Sequence, residues 1–381
     1  MEKGPGRGLS YQTGFIKPRT GAPAPTANGT CRKVVLMAEV VVYFDPLFEE
    51  HKTGYGHPER PERLPVAMKA LADSGLLEGI EVLSSRDASV ADIELVHSEK
   101  YIQQVKQISE SGGGNLDMDT ALSEETYPAA LKAAGALLDS VDWCLEGESR
   151  RTFCMVRPPG HHALPSRGMG FCIFNNVAVG ARYAIARKKL KRVMIVDWDA
   201  HHGNGTQDAF YEDPSVLYVS LHQYPHYPGT GWVDETGKGK GAGFTMNFPF
   251  PAGTGEVSYL EAFDRVIVPA GRKFEPELVM ISAGYDSHVA DLLCSMRLND
   301  ASYRKMTDRL TAFAEDCCSG RLIVTLEGGY NLNAEARSVV QTVAGLAGVD
   351  IPGKDEPAQP TAYPDRAHDV VEQVARQAGV D

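Results

Sequence analysis

Arg192-Val193-Met194-Ile195-Val196-Asp197-Trp198-Asp199-Ala200-His201-His202-Gly203-Asn204-Gly205-Thr206 joins a short β-branched run to a cluster of acids and histidines. Such a run, bounded by charge, reads as a buried parallel strand that ends abruptly at a site. Residues two apart on an extended segment share a face, so Asp197, Asp199 and His201 point one way and Trp198 and Ala200 the other. A carboxylate oxygen from Asp199 and an imidazole nitrogen from His201 suit Zn²⁺ at about 2.0–2.2 Å, with a third protein ligand leaving one position for water.

Outward from this stretch the arrangement recurs. Phe153–Val156 runs into Arg157-Pro158-Pro159-Gly160-His161-His162, and Val216–Leu221 into His222-Gln223-Tyr224-Pro225-His226-Tyr227-Pro228-Gly229. Leu278–Ile281 leads to Ser282-Ala283-Gly284-Tyr285-Asp286-Ser287-His288-Val289-Ala290-Asp291, and Leu322–Leu326 to Glu327-Gly328-Gly329-Tyr330-Asn331. Helices are expected between these strands, near residues 178–189, 256–271 and 302–318. The alternation predicts an open α/β domain with a mostly parallel sheet, in which ligands bind at the carboxyl ends of the strands. Upstream, helices are expected near 66–74, 98–108 and 124–147, the last capped by Ser123. The folded chain should start with strand residues 34–37 or 40–43.

With 381 residues, 43% hydrophobic and 23% charged, the chain can bury a large core. We expect one domain over 34–350, preceded by a disordered tail at 1–33, Gly/Pro-rich and basic, whose apolar content is too low to offset ordering. A C-terminal extension with a short helix is expected over 351–381. The net charge of -12 argues against direct nucleic-acid binding, which needs clustered Lys and Arg. Seven cysteines, an odd number, fit reduced thiols better than a disulfide framework. No apolar run approaches the roughly 18–20 residues of a membrane span. A cytoplasmic or nuclear protein is expected, with organelle targeting by the basic tail as the alternative.

Adjacent His161 and His162 follow a stiff Pro-Pro-Gly turn. One neutral imidazole can take a proton from water while its neighbour is held by a carboxylate such as Asp197. Asp291 can supply the third metal ligand, and Asp286 is the competing choice from spacing alone. Tyr330, on a double-glycine loop, offers a hydroxyl to an oxyanion. Phe171 and Tyr227 are aromatic candidates for the pocket wall. The residues together describe a metal-assisted hydrolase.

Arg157-Pro158-Pro159-Gly160-His161-His162-Ala163, Gly170-Phe171-Cys172-Ile173-Phe174-Asn175-Asn176, Asp197 through Thr206, Ser282-Ala283-Gly284-Tyr285-Asp286 and Glu327-Gly328-Gly329-Tyr330 resemble the zinc-dependent histone deacetylase family. With His57-Pro58-Glu59-Arg60-Pro61-Glu62-Arg63-Leu64, they resemble its class II branch and the bacterial acetylpolyamine and acetoin-utilisation relatives. The resemblance implies an arginase-like fold over about residues 40–345. It implies Asp199, His201 and Asp291 as zinc ligands, His162 as general acid/base, His161 as its partner held by Asp197, and Tyr330 as the carbonyl-polarising group. It further implies Gly170, Phe171 and Tyr227 around an acyl-lysine channel, Asp119 holding the substrate backbone, and Arg63 lining an internal acetate path. A structural K⁺ would take oxygens from Asp197, Asp199, His201, Ser220 and Leu221.

Asn204 stands where class I members carry an Asp, and orients the imidazole without a charge. Asp291-Leu292-Leu293 replaces the usual Asp-Pro-Leu, and Leu293 stands where polyamine-selective eukaryotic members carry an acid. The substrate implied is N-ε-acetyllysine of histones or other proteins, releasing acetate. Small acetylated amines such as acetylpolyamines or N-acetylated arylalkylamines are the alternative, and an inactive scaffold is a third reading.

Overall fold

The computed structural model describes residues 39–353 and 357–380. The expected tail at 1–33 and the strand option at 34–37 lie outside them. The strands are β1 (Glu39–Tyr43), β2 (Glu81–Leu83), β3 (Gly113–Asn115), β4 (Ala121–Ser123), β5 (Arg150–Cys154), β6 (Val193–Asp197), β7 (Val216–Gln223), β8 (Thr245–Phe250), β9 (Leu278–Ala283) and β10 (Leu322–Leu326). Eight of them form one sheet in the order β2-β1-β5-β10-β9-β6-β7-β8, parallel at every pairing. The other two, β3 and β4, make a separate antiparallel hairpin.

Strands β6, β7, β9 and β10 are buried along their whole length. The helix pairs Thr126–Leu145 with Asn176–Ala186, and Asp300–Cys318 with Leu332–Ala347, pack against the central strands. Strands covered in this way read as uninterrupted apolar runs, which is the pattern seen in the sequence. The pairing register brings Cys154, Thr325, Ser282, Asp197 and Ser220 into one level row across the sheet. Every loop that carries chemistry therefore starts at the same height.

Several local expectations are corrected. The helix placed at 124–147 spans Thr126–Leu145 without a side-chain cap, while Ser123 ends β4 and bonds Glu50 and Lys52. The helix expected over 256–271 contains a π-helical turn at Phe263–Ile267. Pro269 has no N–H to donate back along that helix, and the wider turn stands just ahead of it. The short helix expected in the C-terminal extension is present at Pro364–Ala378, where it packs on β8 and buries Ala367, Val371, Val374 and Ala375 in the common core. No helix among the described residues is long and apolar enough to cross a membrane.

Candidate active site

The carboxyl ends of β6 and β9 build the acidic heart of the site. Asp199 and His201, just beyond β6, are both buried. Beyond β9 the loop passes so close that a Cβ on Gly284 would collide with the carboxylate of Asp199 and lie 2.6 Å from its Cα. Only glycine permits that approach, and it brings Asp286 to the centre. His201 Nδ1 faces Asp286 Oδ2 at 2.8 Å and Asp199 Oδ1 at 3.1 Å, and donor atoms of the three residues lie within 4.8 Å of one another.

The arrangement fits a metal ion. Two buried carboxylates converge on one imidazole nitrogen, which has at most a single proton to share between them, whereas a cation in their midst would satisfy all three donors. Burial, reinforced by the Asp199 carboxylate, raises Asp286 to about 7, the repulsion such an ion would relieve. Hard oxygens with an imidazole nitrogen are a zinc donor set.

Asp291, the third ligand expected from the sequence, lies beside this set, close enough for its charge to act on Asp286 and for His201 to act on it. Its Oδ2 accepts the backbone N–H groups of Tyr330 (2.7 Å) and Asn331 (3.1 Å), and its Oδ1 accepts that of Leu293 (2.9 Å). Among the described residues it belongs to no metal-donor group of three. Its carboxylate anchors the tyrosine loop.

The two histidines have opposite environments. His161 Nδ1 donates to Asp197 Oδ2 at 3.0 Å. Burial works against its charge, yet Asp197 and Asp199 raise it to about 10. Asp197 also accepts from the Tyr218 hydroxyl and from Asp199 N. His162 is held well below its ordinary value, by burial first and then by its cationic neighbours His161 and His201. Its Nδ1 lies 2.9 Å from Asn204 Oδ1. Donation by Nδ1–H to that carbonyl oxygen leaves Nε2 with the lone pair, the state of a general base.

Glu327, one residue past β10, accepts Gly160 N at 2.7 Å and His161 N at 3.2 Å and so fixes the histidine loop. Arg63, buried, donates to Glu327 O, Gly329 O and Glu335. It braces the double-glycine loop from beneath, with its guanidinium 5.3 Å from the Tyr330 ring centre. A Cβ on Gly328 would lie 3.0 Å from the Tyr330 hydroxyl oxygen and 2.6 Å from oxygens of Asp199 and Asp286, which places that hydroxyl beside the metal set.

Aromatic rings pack beside these groups. Phe171 meets Tyr330 edge to face at 5.8 Å and His57 at 4.7 Å, while Tyr227 stands 5.2 Å from His162. A Cβ on Gly170 would come within 2.5 Å of the His162 ring and 3.0 Å of Tyr227. Phe171 adopts φ 68°, a left-handed conformation rare for a bulky residue, and its N–H is held by Thr120 Oγ1. Asp119 lies exposed at the rim, its carbonyl 3.1 Å from His57 Nε2 and its acidity reduced by burial and by Asp117. Ser220 pairs with Asp197 across β6 and β7, and Leu221 follows it in the buried strand.

Sequence reasoning passed over Glu327, Tyr218 and the bracing role of Arg63. Glu327 carried a usable signal, because a lone acid at the end of an apolar strand repeats the pattern of Asp197.

Residues 57–346 match the family model described as histone deacetylase domain. A protein of Archaeoglobus fulgidus named probable deacetylase is 40% identical over 319 residues, covering 83% of this chain and 88% of its own. The Danio rerio protein named polyamine deacetylase HDAC10 is 40% identical over 328 residues, 81% of this chain and 48% of its own. A crystal structure titled HDA15 HD domain superposes with a TM-score of 0.80 at 35% identity, covering 89% of this chain and 95% of the other. With the domain match spanning most of its folded part and its fold shared with a solved member, this chain belongs to the histone deacetylase family and has the architecture of a deacetylase.

Proposed function

We propose that the chain removes acetyl groups from N-ε-acetyllysine of histones or other proteins, releasing acetate, with one Zn²⁺ held by Asp199, His201 and a carboxylate beyond β9, Asp286 on its place in the donor group or Asp291, the ligand expected from the sequence. The observation that carries this reading is the placement of His161, bonded to Asp197, and His162, bonded to Asn204, beside a metal-donor set. Such an ion supplies Lewis-acid polarisation of the amide carbonyl and acidifies a water molecule. His162 Nε2 removes the proton from the attacking water, while Asn204 keeps the ring in the required tautomer. Tyr330 donates its hydroxyl to the developing oxyanion, from a loop held by Asp291 and Arg63. The histidine pair then returns a proton to the departing amine. Phe171 and Tyr227 enclose the apolar lysine stem, and Asp119 accepts a backbone N–H of a peptide substrate. A structural K⁺ held through Asp197, Asp199, His201, Ser220 and Leu221 belongs to the same reading.

A second reading, hydrolysis of acetylpolyamines, draws on the paired acids Asp117 and Asp119 at the mouth, which attract a cationic amine. Leu293 in place of an acid weighs against it. Steady-state rates on acetyl-lysine peptides, acetylpolyamines and N-acetylated arylalkylamines, measured in parallel, test the assignment. A kcat/KM for an acetylpolyamine that exceeds every peptide would replace the first reading with the second.

A further inference from the structure

His226, in the loop after β7, and Cys294, three residues past Asp291, take no part in the chemistry above. Cys294 Sγ lies 3.5 Å from His226 Nε2 and 3.6 Å from His201 Nε2, and the two imidazoles stack at 5.0 Å. These three donor atoms form a group within 4.8 Å, and His226 and Cys294 are both partly open to solvent. Zinc–sulfur bonds of about 2.3 Å and zinc–nitrogen bonds of about 2.0–2.1 Å in a tetrahedron set sulfur and nitrogen roughly 3.5–3.6 Å apart. Both sulfur–nitrogen distances here have that length before any ion is added.

We propose that Cys294, His226 and the Nε2 edge of His201 form a second metal site, for a thiophilic divalent cation, back to back with the catalytic set. The two sets differ in softness. The catalytic set is two carboxylates and one imidazole nitrogen, whereas the second offers a thiolate and two imidazoles, the preference of Zn²⁺ or Cd²⁺ over hard cations. Binding releases two protons to solvent, one from the Cys294 thiol and one from His201 Nε2, and forms one metal–sulfur and two metal–nitrogen bonds. His201 then bridges both ions through its two ring nitrogens. The second cation lies across one ring from the catalytic ion, and its charge opposes the proton that His162, 5.9 Å from His201 between ring centres, must accept, so occupation of the second site inhibits turnover. The proposal rests on the functional reading only for the role of His201.

The test uses the full-length protein carrying one equivalent of Zn²⁺, titrated with Cd²⁺ while thiolate-to-metal charge-transfer absorption, bound metal and acetyl-lysine turnover are followed. The catalytic set holds no sulfur, so the absorption reports on the second site and not on the first. Wild type should take up one further equivalent, with the absorption saturating alongside it and turnover falling about tenfold or more. Cys294→Ser and His226→Asn should start from near wild-type turnover, lose the absorption or weaken its midpoint at least about tenfold, and resist inhibition. Saturation at one equivalent in wild type, or an undiminished absorption in Cys294→Ser, overturns the proposal. Should the zinc hydrolase reading itself be wrong, the first equivalent and the turnover would be missing while the Cys294-dependent absorption still appeared.

Discussion

Asp291→Ala separates holding the metal from holding the tyrosine. The Asp291 carboxylate receives the backbone N–H groups of Tyr330 and Asn331 at 2.7 and 3.1 Å. Hydrogen bonds to a charged group contribute about 1.5–3 kcal/mol each, so this anchor on the loop amounts to roughly 3–6 kcal/mol. Its loss lets the loop drift and the hydroxyl leave its position beside Asp199 and Asp286. The ceiling on the damage is the loss of one oxyanion donor, about 10²–10³ in kcat. Asp291→Ala should therefore retain close to one equivalent of zinc while kcat falls by about 10²-fold. Asp286→Ala should lose both the ion and turnover. Because both changes act through one hydroxyl, Asp291→Ala combined with Tyr330→Phe should turn over within about twofold of Tyr330→Phe alone. Metal analysis after dialysis and steady-state kinetics on one acetyl-lysine peptide supply all the numbers. Zinc lost from Asp291→Ala but kept in Asp286→Ala would refute the assignment, and additive rate losses would refute the positioning role.

Tyr330→Phe keeps its edge-to-face contact with Phe171 and should bind zinc and substrate nearly normally, with kcat reduced about 10²–10³-fold. A variant that keeps more than about a third of kcat would make Tyr330 an ordinary loop residue. Phe171→Ala strips one wall of the channel and should mainly raise KM, and a fall in kcat at constant KM would assign the ring to the transition state. Asn204→Asp places a charge on His162 Nδ1 and should raise its pKa. The base is then protonated at higher pH, so the acid limb of the kcat/KM profile should move upward, and a limb that stays put would exclude His162 as the base. Glu59→Gln breaks a buried pairing with Arg157 and Arg63 and should cost about 3–5 kcal/mol in urea denaturation at neutral pH. Burial opposes the charge of Glu59, but Arg157 and then His51 and Arg63 hold it at about 2. Its stabilisation is complete above the ordinary carboxylate range and lost as pH falls toward 2, so the gap between variant and wild type should close over that interval, and a constant gap would contradict it.

The central strands were legible because burial leaves uninterrupted apolar runs, and β6 shows this most clearly, ending at Asp197 without a transition. The edge strand β8 was not legible. Asn247 and Pro249 break its pattern, and a proline survives there because an edge strand has one unpaired side. The histidine pair, Asn204 and Tyr330 sit where residue chemistry and strand ends pointed. The choice between Asp286 and Asp291 was beyond spacing, since five residues of loop can deliver either one. The close passage at Gly284, a contact between different segments, brings Asp286 to His201, while Asp291 holds the tyrosine loop. Arg63 entered only as a lining residue of the implied acetate path, and its bond to Gly329, 266 residues away, has no local trace.

The level row of strand ends has a consequence for how the molecule matures. Asp199 and His201 leave β6 while Asp286 leaves β9, and these neighbours in the sheet are separated in the chain by β7 and β8. An ion held by all three can bind only after that long crossover has closed, so affinity for metal belongs to the finished sheet and not to any fragment of it. Such an ion would act as a late clamp on the sheet centre. At a free concentration about a thousand times its dissociation constant, it would add roughly 4 kcal/mol to the unfolding free energy. Chelation should then lower thermal stability as well as activity, and metal supply during synthesis would set how much of the chain reaches its native state.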